Sequence, residues 1–80
     1  MKENIASLPH TAGLRTTLRA IETRRAKQVF IAEDADIFVK RRIQEACLSL
    51  DIQYSYVPTM KELGEACALQ VSAACAAIVK

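Results

Sequence analysis

The run Gln28-Val29-Phe30-Ile31-Ala32, followed at once by the polar turn Glu33-Asp34-Ala35-Asp36, decides how this chain folds. Its β-branched and aromatic residues stand together without polar alternation, which suits a strand covered on both faces. Such a strand needs a helical layer on each side, and the flanking sequence supplies helices. In the turn, an aspartate can accept backbone N–H bonds at the start of a helix. The next segment, about residues 37–49, sets Val39, Ile43, Ala46, Cys47 and, just beyond it, Leu50 on one apolar stripe and Lys40, Arg41 and Gln44 on the other face. Upstream, Leu14, Leu18 and Ile21 fall at i, i+4 and i+7, predicting a helix from Leu14 to about Arg25 that Gly13 introduces.

Further out, Gln53-Tyr54-Ser55-Tyr56-Val57 reads as a second strand, closed by Pro58 because proline cannot donate to a ladder. Thr59-Met60-Lys61-Glu62 matches a capping box, so a third helix is expected to begin at Met60. The stretch from Ala66 to Lys80 is helical by alanine propensity, yet Ala76-Ala77-Ile78-Val79 also fits a narrow buried strand. The alternation of strands and helices favours the strand. A short helix is expected from Glu3 to Leu8, before Pro9. The expectation is an α/β fold, a three-layer α-β-α sandwich with a small mixed central sheet, as a single domain over residues 1–80.

Composition narrows the function classes. With 80 residues, 51% hydrophobic and 25% charged, the chain is too apolar for disorder and too short for a large multi-part active site. No apolar run approaches the roughly 18 residues of a membrane span, and the first ten residues lack the apolar core of a signal peptide. A cytoplasmic protein is expected. Cys47, Cys67 and Cys75 are odd in number and form no Cys-x-x-Cys pair, which predicts buried reduced thiols and no metal site. With His10 the lone histidine, the sequence offers no nucleophile–base pair and no glycine-rich phosphate loop, so an enzyme is not expected and no cofactor is indicated.

Charge is distributed unevenly. Residues 1–27 hold Lys2, Arg15, Arg19, Arg24, Arg25 and Lys27 against Glu3 and Glu22, a net +4, whereas the whole chain carries +2. A second basic cluster, Lys40-Arg41-Arg42, lies in the acidic remainder. Arg15 and Arg19 are four apart, so they share one helix face at a small repulsive cost. Arg15 also lies near the helix N-terminus, where the backbone dipole favours an anion. Both choices make sense if a polyanion occupies this end, since phosphates accept from free N–H groups and arginines fork onto phosphate or guanine edges. Two ordinary exposed arginines, eased by Glu22 three residues beyond Arg19, are the competing reading.

The segment from Gly13 to Ile21, with the Ala-Glu-Asp-Ala-Asp turn of residues 32–36 and the stretch from Met60 to Val71 that contains Leu63-Gly64-Glu65-Ala66-Cys67, resembles the L7Ae/L30e ribosomal protein family, especially its small bacterial kink-turn-binding members. The resemblance covers residues 13–79. It implies an α-β-α sandwich that binds the kink-turn, an RNA internal loop whose bend exposes base edges that regular A-form RNA hides. In the family the first long helix enters the kink through a Gly-x-Asn-Glu-x-x-Lys motif, and the loop before the last strand touches an extruded nucleotide. Gly13 matches the motif glycine, Arg15 stands where asparagine is usual, Thr16 where glutamate is usual and Arg19 where lysine is usual. Thr16 cannot serve as an anionic acceptor for a base amino group.

In the second region, Leu69, Gln70 and Val71 are the implied contacts, and Ala68 and Ser72 stand where glycine is common. Leu69 and Val71 either pack on an unstacked base or cover the core beneath. Pro9-His10-Thr11-Ala12 replaces an apolar lead-in, so a first edge strand is expected to be short or missing, with His10 in an exposed loop. The implied function is noncatalytic binding of kink-turn or related structured RNA by a ribosomal or ribosome-associated monomer. The alternative is a family member that docks on protein or ribosome without kink-turn specificity.

Overall fold

The computed structural model describes residues 5–80, so Glu3, within the expected N-terminal helix, lies outside them. The remainder of that segment forms only a 3-10 turn, Ile5–Ser7, which sends Ile5 into the core. There follow β1 (His10–Ala12), α1 (Leu14–Glu22), β2 (Ala26–Ala32), α2 (Ile37–Ser49), β3 (Gln53–Val57), α3 (Met60–Ala66) and β4 (Cys75–Val79). The strands form one sheet in the order β1-β4-β2-β3, in which β4 runs antiparallel to both neighbours and β2 and β3 are parallel. The sheet is therefore mixed.

Alternation along the two inner strands builds the layers. Val29 and Ile31 of β2, with Cys75, Ala77 and Val79 of β4, pack against Ala20 and Ile21 of α1 and Ile43 and Cys47 of α2. The opposite pleat sends Phe30, Ala32 and Ala76 to a second core with Ile5, Val57, Leu63, Cys67 and Ala73. Both faces of β2 are thus dry, as its unbroken apolar run predicts. The sequence also marks β4 correctly as a narrow strand, for alanines at 76 and 77 are wholly buried. β1 is present but three residues long, its partners on β4 being Ile78, Ala77 and Ala76.

Helix endings explain where the boundaries differ from expectation. The N–H of Arg25 donates to Ala20 O and that of Arg24 to Ile21 O, a Schellman closure that stops α1 at Glu22 instead of Arg25. α2 closes in the same way through Ile52 and Asp51, and α3 through Leu69 and Ala68. The left-handed residue of each closure is not glycine: Arg24, Asp51 and Ala68 have φ of 59°, 57° and 59°. Without a glycine, the sequence carries no visible stop signal at these points. An L-residue in this conformation costs about 1–2 kcal/mol. Ala68→Gly is therefore expected to stabilise the protein by about 0.5–1 kcal/mol after the added freedom of the unfolded chain is deducted. A thermal melt should shift up by roughly 3–6 °C, and an unchanged or lower midpoint would contradict this account.

All three cysteines are buried and reduced. Burial pushes each thiol up, Cys47 to about 11 with the neighbouring Cys75 adding to the effect. They stay protonated at neutral pH and act as small apolar side chains. The hydroxyl of Thr17, buried on α1 beside the Cys75 thiol, partly offsets the rise there, although among the described residues it makes no hydrogen bond of proper geometry.

Candidate nucleic-acid interface

Three backbone ties bring distant parts of the chain to one end of the sheet. Gly13 N–H donates to Cys75 O at 2.9 Å, Ala32 N–H to Ala74 O at 2.9 Å, and Ala73 N–H to Met60 O at 3.1 Å. The start of α1, the turn after β2, the start of α3 and the loop before β4 therefore share an edge. The two regions that the resemblance singles out, Gly13 to Arg19 and Leu69 to Val71, are joined through this edge.

At the start of α1, Gly13 has φ 97° and ψ 158°, a conformation that glycine adopts without the strain a Cβ brings. Among the described residues no side chain caps the helix, and no acidic residue stands in its first turn. The first ladder bond runs from Thr17 N–H to Gly13 O, which leaves the preceding N–H groups of the helix directed outward. Thr16 is exposed, but its hydroxyl donates to Ala12 O at 2.5 Å and so fastens the β1–α1 corner. That bond gives Thr16 a structural task in place of the carboxylate's acceptor role.

Arg15 and Arg19 are exposed and line one shallow cleft with Leu18 and Glu22 of α1 and Arg42 of α2. Leu14 continues its apolar floor beside Arg15, Leu18 and Arg42. Among the described residues, neither Arg15 nor Arg19 is held in an ion pair or side-chain hydrogen bond. On the far side of α1, Arg19 also borders a hollow with His10, Thr11, Thr16 and Arg25. His10 lies on β1, where its Nδ1–H donates to Leu8 O at 2.8 Å. It is thus a strand residue, only partly exposed, instead of the loop residue expected from sequence.

The loop before β4 is held from below. Leu69 N–H donates to Gly64 O, and a Cβ on Gly64 would run into the backbone of Val71 and Ser72. The absent side chain lets the loop lie directly on α3. Its apolar residues point away from the core: Val71 is 70% exposed and Leu69 39%. Gln70 is exposed between them. Covering the core is therefore not the main task of Val71.

Sequence reasoning missed two features at this end. Arg42 was visible only as part of a basic run on another helix, and packing of α2 on α1 is what sets it beside Arg15. Ile37 and Phe38, at the start of α2, are 56% and 73% exposed. Their signal was their position off the apolar stripe that begins at Val39. The acidic turn next to them is occupied with capping, since Asp36 accepts from Phe38 N–H at 2.8 Å and Asp34 accepts from Met60 N–H at 2.7 Å. Thr59 accepts from Glu62 N–H at 3.0 Å, which is half of the expected capping box. Among the described residues, no helix is long and apolar enough to cross a membrane.

Comparison with known proteins gives consistent results. The sequence model of the ribosomal protein L7Ae/L30e/S12e/Gadd45 family matches residues 10–80. A protein of Caldanaerobacter subterraneus named RNA-binding protein TTE2299 is 45% identical over 67 residues, 84% of this chain and 82% of that protein. The RNA-binding protein YbxF of Geobacillus stearothermophilus is 37% identical over 68 residues, 85% of this chain and 83% of its own length. Among solved structures, the Giardia lamblia 15.5kD RNA binding protein superposes with a TM-score of 0.87 at 27% identity, covering 96% of this chain and 65% of that one.

Proposed function

Because the chain belongs to the ribosomal protein L7Ae/L30e/S12e/Gadd45 family, we propose that it is a noncatalytic RNA-binding protein of the cytoplasm that recognises a kinked, structured RNA. It acts as a monomer, probing the bend with the start of α1 and the loop of residues 69–71. The observation that carries this reading is the open cationic end of α1: a helix start without a cap or an acid, with Arg15 and Arg19 exposed on one cleft and unpaired among the described residues. Dipole, free N–H groups and guanidinium groups all favour an anion there. Exposed Val71 and Leu69 add an apolar surface of the kind on which an unstacked base rests. Relatives named for RNA binding support the same partner class.

With arginine and threonine at the motif's asparagine and glutamate positions, discrimination rests on the shape of the bend more than on base amino groups. The test is a gel-shift titration of the purified protein against a kink-turn RNA and a version whose sheared G·A pairs are replaced by Watson–Crick pairs. Tighter binding to the kinked RNA is expected, with affinity falling steeply as salt rises because each neutralised phosphate releases counterions. Equal affinity for the two RNAs would reject recognition of the bend. A ribonuclease-treated pull-down that retained its partners would favour protein docking instead.

A further inference from the structure

The cleft between α1 and α2 extends the cationic surface beyond the elements that the family resemblance assigns. Arg42 closes it opposite Arg15 and Arg19, so three guanidinium groups from two helices face one channel over a floor that includes Leu18. Leu14 lines the same channel where Arg15 and Arg42 meet. Glu22 is the acid that lines it. One turn before Arg42, on the same side of α2, stands Phe38, an aromatic ring left 73% exposed. The chain has only two phenylalanines, and the other, Phe30, is buried in the core.

We propose that this cleft binds the sugar–phosphate backbone of an RNA strand leading away from the bend, with phosphates between Arg15, Arg19 and Arg42 and a base against Phe38. The inference rests on the RNA-binding reading above and adds α2 to the footprint. Charge complementarity selects the occupant: the cations lie within one channel, and guanidinium groups fork onto phosphate oxygens. An aromatic face beside a basic groove is the combination by which proteins hold unpaired strands. Glu22 repels phosphate, so the strand leaves the cleft before reaching it.

The test uses the full chain with Arg42→Gln, Phe38→Ala and Glu22→Gln, titrated between 50 and 200 mM salt against a kinked RNA with long flanking arms and against the same bend with its arms trimmed. These three residues are exposed, and each variant is expected to melt with the parent. One lost phosphate contact is worth about a threefold change in affinity across this salt range. Arg42→Gln should therefore weaken binding to the long RNA, with a deficit about threefold larger at 50 mM than at 200 mM salt, and should lose this effect on the trimmed RNA. Phe38→Ala should weaken binding about fivefold or more without altering the salt slope, while Glu22→Gln should tighten it.

A salt slope unchanged by Arg42→Gln, with the parent still preferring the kinked RNA, would overturn the cleft proposal and leave the recognition of the bend standing. Loss of that preference with the Arg42 effect intact would do the reverse. Unchanged affinity in Phe38→Ala would overturn the assignment of a base to that ring.

Discussion

Gly64→Ala is expected to lower the melting temperature by about 5–15 °C and to weaken RNA binding in the same stroke. The new methyl group would overlap the carbonyl oxygen of Val71 and crowd Ser72 Cα. Both neighbours are backbone, so no side-chain rotation relieves the clash and the loop must lift from α3. Overpacking of this kind costs about 1–3 kcal/mol, and each kcal/mol moves the midpoint of a chain this size by roughly 4–8 °C. Lifting the loop also displaces Leu69, Gln70 and Val71 from the edge they share with the start of α1. The exposed neighbour Glu65 provides the control, since Glu65→Ala should leave both the melt and the gel shift unchanged. A Gly64→Ala protein that melts and binds like the parent would show that the loop is not seated on this glycine.

The second large effect is on binding alone. Arg15→Gln with Arg19→Gln should reduce affinity for the kinked RNA by one to two orders of magnitude, because a hydrogen bond to a charged group contributes on the order of 1.5–3 kcal/mol and neighbouring groups do not add fully. The slope of log affinity against log salt should fall by about 1.5–2. Stability should move the other way by a few tenths of a kcal/mol, since the substitution removes a like-charge pair at i, i+4. Fluorescence anisotropy over a salt series, paired with a thermal melt, reads both signs. Salt plots for variant and parent that stay parallel would show that these guanidinium groups face solvent, not phosphate.

The layered architecture was legible because β2 is apolar at every position from Val29 to Ala32, and such a run has to be covered twice. Leu14 to Ile21 and Val39 to Leu50 supplied one cover at helical spacing, and the helix that begins after Thr59 supplied the other through Leu63. Strand ends were less legible: β2 begins at Ala26 because Ala26 pairs with Val79 across an irregularity before Gln28, a matter of register that no local pattern records. The early end of α1 has no local sequence signal because arginine, not glycine, takes the left-handed position there.

At the candidate site, Arg15 and Arg19 could be read as a pair from their spacing alone. Arg42 could not, for its place beside them follows from how α2 lies on α1. The corner bond from Thr16 to Ala12 was also hidden, since it depends on β1 having a partner strand. That strand's own survival against a polar lead-in reflects tertiary pairing with β4 overriding local composition.

β4 lies between β1 and β2, and its position has a consequence for how the molecule matures. Of the strands that leave the ribosome before it, only β2 and β3 can pair with each other, so β1 has no neighbour while the nascent chain is still short of residue 75. The carbonyl of Cys75 that anchors Gly13 is missing for the same interval. Vectorial synthesis therefore delays assembly of the cationic helix start until nearly the whole described segment has emerged, and a half-made chain has no finished surface with which to capture nucleic acid at its birthplace.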